Sequence, residues 1–236
     1  WVTETAVDSY RARLAGYYNA VSLDLGGGSV QRVDANGGLA APGATLGTLT
    51  GTPTAARLAG LRDGTRLFAV LDEGPSQSVA SLDPFTGEVV SEFSTVVDVA
   101  GVAVAPTATE FVGLPSLDDG GAFERFVSRG GVTATVRDTL TGLATQLGRL
   151  NVVRGTVEAA DPITFHVGVV DAEAELLAYS PDNELFALDA TGSGPRLWTI
   201  DVATKEATLV GTIADPAVDA ADGLAFLGNQ IGRAHV

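Results

Sequence analysis

β-Branched and other apolar residues recur at strand spacing among polar ones in two stretches, Glu88-Val89-Val90-Ser91-Glu92-Phe93 and Glu206-Ala207-Thr208-Leu209-Val210-Gly211. Each stretch follows the same local signal: an aspartate preceded by an apolar residue (Arg137 in one case), a short turn and a Gly or Lys exit. The signal occurs four times, as Leu23-Asp24-Leu25-Gly26-Gly27-Gly28, Leu82-Asp83-Pro84-Phe85-Thr86-Gly87, Arg137-Asp138-Thr139-Leu140-Thr141-Gly142 and Ile200-Asp201-Val202-Ala203-Thr204-Lys205. The aspartates are 59, 55 and 63 residues apart. The pattern predicts four β-hairpins, each with a strand ending at the aspartate and an alternating strand after the turn. The carboxylate can accept backbone N–H groups inside the turn, and glycine supplies a positive φ at its exit. These aspartates therefore have a sufficient structural reason to be present.

A second piece repeats upstream. Leu67-Phe68-Ala69-Val70-Leu71-Asp72 matches Leu185-Phe186-Ala187-Leu188-Asp189, and each follows a turn, Arg62-Asp63-Gly64-Thr65 or Ser180-Pro181-Asp182-Asn183. Before each turn stands a short apolar strand, Leu58-Ala59-Gly60-Leu61 or Leu176-Leu177-Ala178-Tyr179. The unit is thus four strands in a meander. Val99 to Val104 and Gly223 to Phe226 read as first strands of further units. Residues 1–20 carry both a helical and a strand reading, and a mostly β reading is expected there.

Repeated four-stranded antiparallel units with Gly-rich turns predict an all-β protein, a partial β-propeller of meander blades. At Leu82-Asp83-Pro84-Phe85-Thr86-Gly87 and Leu197-Trp198-Thr199-Ile200-Asp201 the chain resembles bacterial propellers of the NHL, YVTN and PQQ-like kind. The resemblance covers 56–95 and 174–226 well, 99–148 loosely and 1–55 poorly. Blades of that kind take about 40–50 residues, so the spacing implies inserted loops, expected at Leu114 to Ala122 and Asn151 to Asp161. A parallel β-helix is the rival fold.

The chain has 236 residues and starts at Trp1 rather than Met, which reads as a processed chain or a fragment. Its end, Ile231-Gly232-Arg233-Ala234-His235-Val236, is spelled by ATC GGA AGA GCA CAC GTC, which resembles a sequencing-library adapter. Residues 1–229 are therefore expected to be a single incomplete propeller domain of about four blades plus the start of another. Residues 230–236 are expected to be an adapter-derived tail. An arc cut at both ends is expected to stay open.

The net charge is −15, with Lys205 the only lysine. That disfavours a nucleic-acid partner, because phosphate contacts need clustered Lys and Arg. The chain has no cysteine, so disulfides, thiolate metal sites and cysteine nucleophiles are excluded from it. No run of 18 apolar residues predicts a membrane span.

Catalytic chemistry has few candidates. His166, in the predicted strand Ile163 to Val170, reads as a surface or hydrogen-bonded histidine. Asp118 and Asp119, beside Gly120 and Gly121, are the candidate calcium ligands, since adjacent carboxylates on a permissive loop can offer oxygens to Ca²⁺. Calcium needs six to eight oxygens, and the spacing is not D-x-D-x-D-G. Asp215, Asp219 and Asp222 form a second acidic loop, read as solvated. Gly26-Gly27-Gly28 lacks the Lys-Ser/Thr of a phosphate loop and reads as a turn. Trp198 reads as blade core.

The reading of these features is a non-enzymatic module, secreted or at the cell surface (the periplasm included), that binds a protein or small-molecule ligand on a propeller face. The alternative is a metal-dependent, lactonase-like propeller hydrolase with its site in the central channel. Those relatives hold the metal with Glu, Asn and Asp, and no motif here matches theirs. A PQQ-dependent dehydrogenase would need tryptophan docking motifs, and two tryptophans without repeat spacing do not supply them.

Overall fold

A computed structural model describes residues 20–24, 29–33, 45–49, 51, 53–60, 66–83, 86–106, 109–112, 125–128, 131–152, 154–166, 171–190, 194–213, 223–227 and 230–234. The described residues form strands, turns and connections and no helix. Three sheets make up the centre. Blade I is β4 (Ala55–Gly60), β5 (Leu67–Asp72), β6 (Gln77–Leu82) and β7 (Val89–Ser94), paired in chain order. Blade II is β8 (Val99–Val104), β11 (Val132–Arg137), β12 (Ala144–Asn151) and β13 (Thr156–Pro162). Blade III is β15 (Leu176–Tyr179), β16 (Leu185–Asp189), β17 (Arg196–Ile200) and β18 (Glu206–Thr212). The two-residue β14 (Thr164–Phe165) pairs parallel to β18 on the outer edge of blade III.

A three-stranded sheet precedes these blades, made of β1 (Ala20–Asp24), β2 (Ser29–Val33) and β3 (Thr45–Thr48). A hairpin follows them, β19 (Gly223–Leu227) with β20 (Gln230–Ala234). The pairings within every blade are antiparallel, which excludes the parallel β-helix.

The first strand of each unit lies beside the first strand of the next, in the series β4, β8, β15, β19. The architecture is a partial β-propeller. The inner strands β5, β8 and β16 are apolar at consecutive positions because both of their faces are covered. Phe68 and Val70 of blade I join Val102, Val132 and Ala134 of blade II in one core. Their strand neighbours Ala69 and Leu71 turn the other way and pack with Leu49. Leu185, Ala187 and Trp198 of blade III pack against Ala103 and Leu147 of blade II. Leu188 faces the opposite way, toward Leu224 of β19. Trp198 is fully buried, with the Phe165 ring edge-on at 4.9 Å, so it is blade core as its sequence context implies.

Three sequence expectations need correction. First strands begin at 55, 99, 176 and 223, so the units span 44, 77 and 47 residues. The extra length sits in the unit that starts at Val99, where both expected insertions also fall. Part of it is the hairpin β9 (Thr109–Val112) with β10 (Arg125–Ser128), inserted between the first two strands of blade II. The expected insertion at Leu114 to Ala122 falls between those strands, outside the described residues. The second expected insertion, Asn151 to Asp161, is a turn followed by β13, the outer strand of blade II. Glu158 and Asp161 there pair with Arg149 and Leu147, so this segment is sheet and not loop.

The aspartate turns also differ in place. Asp83 and Asp201 close the third hairpin of their blades, whereas Asp138 closes the β11–β12 hairpin, the second of blade II. Successive hairpins of a meander lie at opposite ends, so Asp138 stands at the other end of the propeller from Asp83 and Asp201. Finally, the strand expected over Ile163 to Val170 is limited, among the described residues, to Thr164–Phe165. It adds to β18 through Thr164 N–H donating to Lys205 O at 2.9 Å and His166 N–H donating to Ala207 O at 3.2 Å.

Candidate functional site

The end that carries the Asp138 turn has a cleft of about 510 Å³ between blades I and II. One wall is the β5–β6 turn of blade I with the β7–β8 connection, contributing Gly74, Ser76, Thr95 and Val97. The other is the β11–β12 turn of blade II, contributing Arg137, Thr139 and Gln146.

Gln77 fixes the geometry. It opens β6 directly opposite Asp72, and its side chain is buried at the seam. Its amide donates to Asp72 Oδ1 at 2.6 Å and to Val99 O at 2.9 Å, and its Oε1 accepts from Val99 N–H at 2.8 Å. It thereby bonds both backbone groups of the residue that starts blade II. Asp72 is further held by Arg57, whose Nη1 donates to Oδ2 at 2.7 Å. Blade III repeats the device with different chemistry. Arg196 stands opposite Asp189 across the equivalent hairpin and donates to its Oδ2 at 2.6 Å.

Arg137 is the cleft's cation. Its Nη2 donates to Glu175 Oε1 at 2.8 Å, with Glu173 at 3.7 Å and Asp98 at 3.8 Å. Partial burial pulls its pKa down, but the hydrogen bond and charge of Glu175, then Asp98 and Glu173, outweigh this. The guanidinium is held above its ordinary value and stays charged. Glu173 is buried and accepts the Ala144 N–H at 3.1 Å. Asp98 is the looser acid. Its side chain is 58% exposed, and its contacts are long, 3.3 Å to Gln77 and 3.8 Å to Arg137. Val96 lines the cleft at 81% exposure, and Leu140, next to the lining residue Thr139 on the β11–β12 turn, is 93% exposed.

A second cleft, about 650 Å³, lies at the opposite end beside blade III, with Tyr179, Glu184, Asp201 and Glu206 among its lining. Burial raises the Tyr179 phenol above its ordinary pKa, against the opposing hydrogen bond with Thr133 at 2.8 Å. The Asp201 carboxylate is spent on its own turn. Ala203 and Thr204 N–H donate to its Oδ1 at 2.8 and 3.0 Å, and these bonds lower its pKa. Asp138 is lowered the same way by Thr141 and Leu140, both at 3.0 Å.

Among the sequence candidates, His166 sits at a bend, half-exposed, with Nε2 3.7 Å from Glu206 Oε1. Asp118 and Asp119 lie outside the described residues, as do Asp215, Asp219, Asp222 and Gly26-Gly27-Gly28. Among the described residues no group of three or more His, Asp or Glu is placed to hold a metal ion. Among them too, no helix is long and apolar enough to cross a membrane. Sequence reasoning did not single out Gln77, Asp98 or Arg137. A signal was there: Asp72 and Asp189 close equivalent strands, and each is followed by a side-chain donor at the opening of the next.

No family model matches the chain, and no curated protein matches it. Solved structures do. The chain is similar to the Dos1 propeller at 15% identity, over 88% of this chain and 46% of that one, with a TM-score of 0.42. It is similar to the Cps50 (Swd1) β-propeller domain of Myceliophteria thermophila at 14% identity, over 84% and 68%, with a TM-score of 0.42. TolB from Acinetobacter baumannii matches at 15% identity, over 84% and 53%, with a TM-score of 0.40. This chain is a β-propeller repeat protein. It spans about half the length of the Dos1 and TolB chains, at 46% and 53%. The propeller's blades, and not these likenesses, define its cleft.

Proposed function

We propose that the protein is a non-enzymatic binding module, secreted or at the cell surface, that takes a protein or small-molecule ligand in the cleft between blades I and II. The observation that carries this reading is the division of labour in the cleft. Gln77 bonds blade I to blade II, Arg57 and Asp72 are consumed within blade I, and Glu175 is consumed by Arg137 of blade II, so the walls are preformed. Asp98, Val96 and Leu140 are left facing solvent. The acid excess suits a soluble exposed protein that repels nucleic acid.

The test blocks the cleft with Thr139→Trp, a change on an exposed turn residue at its rim. Wild type and variant are titrated by biolayer interferometry against arrayed peptides and a panel of small polar molecules. Binding that the block removes is the expected result. Turnover of lactones or phosphoesters by the purified protein, or binding that the block leaves intact, overturns the reading.

A further inference from the structure

We propose that the ligand of the blade I–II cleft is an extended peptide segment that carries a basic side chain beside an apolar one; this rests on the binding-module reading above. The first argument is charge. The charged residues lining the cleft are Asp72, Asp98 and Arg137; behind them Arg57 pairs with Asp72, and Glu175 and Glu173 stand on Arg137 from the segment that leads into blade III. Asp72 is saturated by Arg57 and Gln77 at 2.7 and 2.6 Å. Arg137 keeps its short bond for Glu175. The carboxylate with capacity left is Asp98, exposed and held only by long contacts. A cation is favoured there, and an anion meets the surplus of acids.

The second argument is the apolar rim. Single exposed apolar residues are ordinary on a protein surface. Here Val96 lines one lip of the cleft, on the β7–β8 connection, and Leu140 follows Thr139, which lines the other, on the β11–β12 turn. A ligand that covers both lips and sets a charge at Asp98 spans the seam, and an extended peptide does so. The two contacts differ in weight. Covering a Leu side chain is worth about tenfold or more in affinity. An exposed ion pair is worth about fivefold at most. Leu140 therefore supplies affinity, while Asp98 supplies the choice of a basic side chain.

The experiment uses the full chain and fluorescein-labelled hexapeptides of one length, with Leu-Arg, Leu-Lys, Leu-Glu or Ser-Lys at the centre, read by anisotropy. Leu-Arg and Leu-Lys peptides are expected to bind more tightly than the other two. Asp98→Asn is expected to weaken them by about fivefold, and Leu140→Ser by about tenfold. Raising ionic strength from about 0.05 to 0.5 M is expected to weaken them further. Both substitutions are at exposed positions, and unchanged melting midpoints confine the readout to binding. No peptide binding, equal binding of Leu-Glu, or affinities unmoved by both variants overturns the inference. If Thr139→Trp still removes binding of a neutral peptide or small molecule, the cleft remains a binding site and only the peptide assignment falls. If Thr139→Trp removes nothing, both fall.

Discussion

Lys205 occupies a backbone conformation that glycine holds in the two equivalent turns. Its φ is 62°, against 69° at Gly87 and 72° at Gly142. In all three turns the exit N–H donates to the carbonyl of the turn aspartate, at 2.7 Å in Gly87 and 2.8 Å in Gly142 and Lys205. A β-carbon in the left-handed region costs about 1–2 kcal/mol. Glycine gives back about 0.4–1 kcal/mol through the extra freedom of its unfolded chain. Lys205 also donates from Nζ to Val202 O at 2.8 Å, an exposed bond that any replacement removes. The clean comparison is therefore Lys205→Gly against Lys205→Ala, since both lose the Nζ bond and only one keeps the β-carbon. We expect the Gly variant to be more stable than the Ala variant by about 0.5–1 kcal/mol.

Trp198 is buried on β17, the strand leading into this turn, so its fluorescence in a Trp1→Phe background reports unfolding of blade III itself. With a urea slope of about 2.5 kcal/mol/M, the expected difference in midpoint is about 0.2–0.4 M. Gly142 supplies the mirror test. A β-carbon there would meet nothing within 4 Å, so Gly142→Ala isolates the φ cost without a clash. It is expected to destabilise by a similar amount. Equal midpoints for the Lys205→Gly and Lys205→Ala variants, together with a neutral Gly142→Ala, would refute the assignment of backbone cost to these exits.

The lowered pKa values of Asp138 and Asp201 imply an acid limb: each lies below 3.8 when folded, so its stabilising effect is present above 3.8 and is lost as pH falls through the depressed value. Urea midpoints between about pH 5 and 2 are expected to fall less steeply in Asp138→Asn and Asp201→Asn than in wild type. Gln77→Ala leaves the Val99 N–H and C=O at the blade seam without their partner and is expected to cost about 2–4 kcal/mol in the same urea assay. Gly101→Ala drives a methyl into Glu175 O and to within 2.9 Å of Thr135 Oγ1 on the face toward blade III, and is expected to lower stability by about 1–3 kcal/mol. Calcium at Asp118 and Asp119 is checked by titration calorimetry of wild type against Asp118→Asn/Asp119→Asn, where the heat of binding should vanish in the variant.

The meander was readable because its causes are local. Leu67 to Asp72 and Leu185 to Asp189 are apolar at every inner position, and each is bounded by turn residues. Where the blades begin was less readable, and the Asp138 turn shows why. A carboxylate that accepts two N–H groups and a residue at positive φ close any tight hairpin, whichever pair of strands it joins. The aspartate spacing of 59, 55 and 63 residues therefore measured hairpin to hairpin across different positions in the blades. The first strands, starting at 55, 99, 176 and 223, carry the true repeat, and the β9–β10 insertion hides it. The cleft was less legible again. Gln77 and Val99 are 22 residues apart and meet only because blade II packs beside blade I. Arg137 meets Glu175 across 38 residues for the same kind of reason. In a protein built by stacking similar sheets, residues inside a blade answer to local pattern. Residues at the seams answer to the neighbour, so a cleft formed at a seam leaves little trace in the repeat.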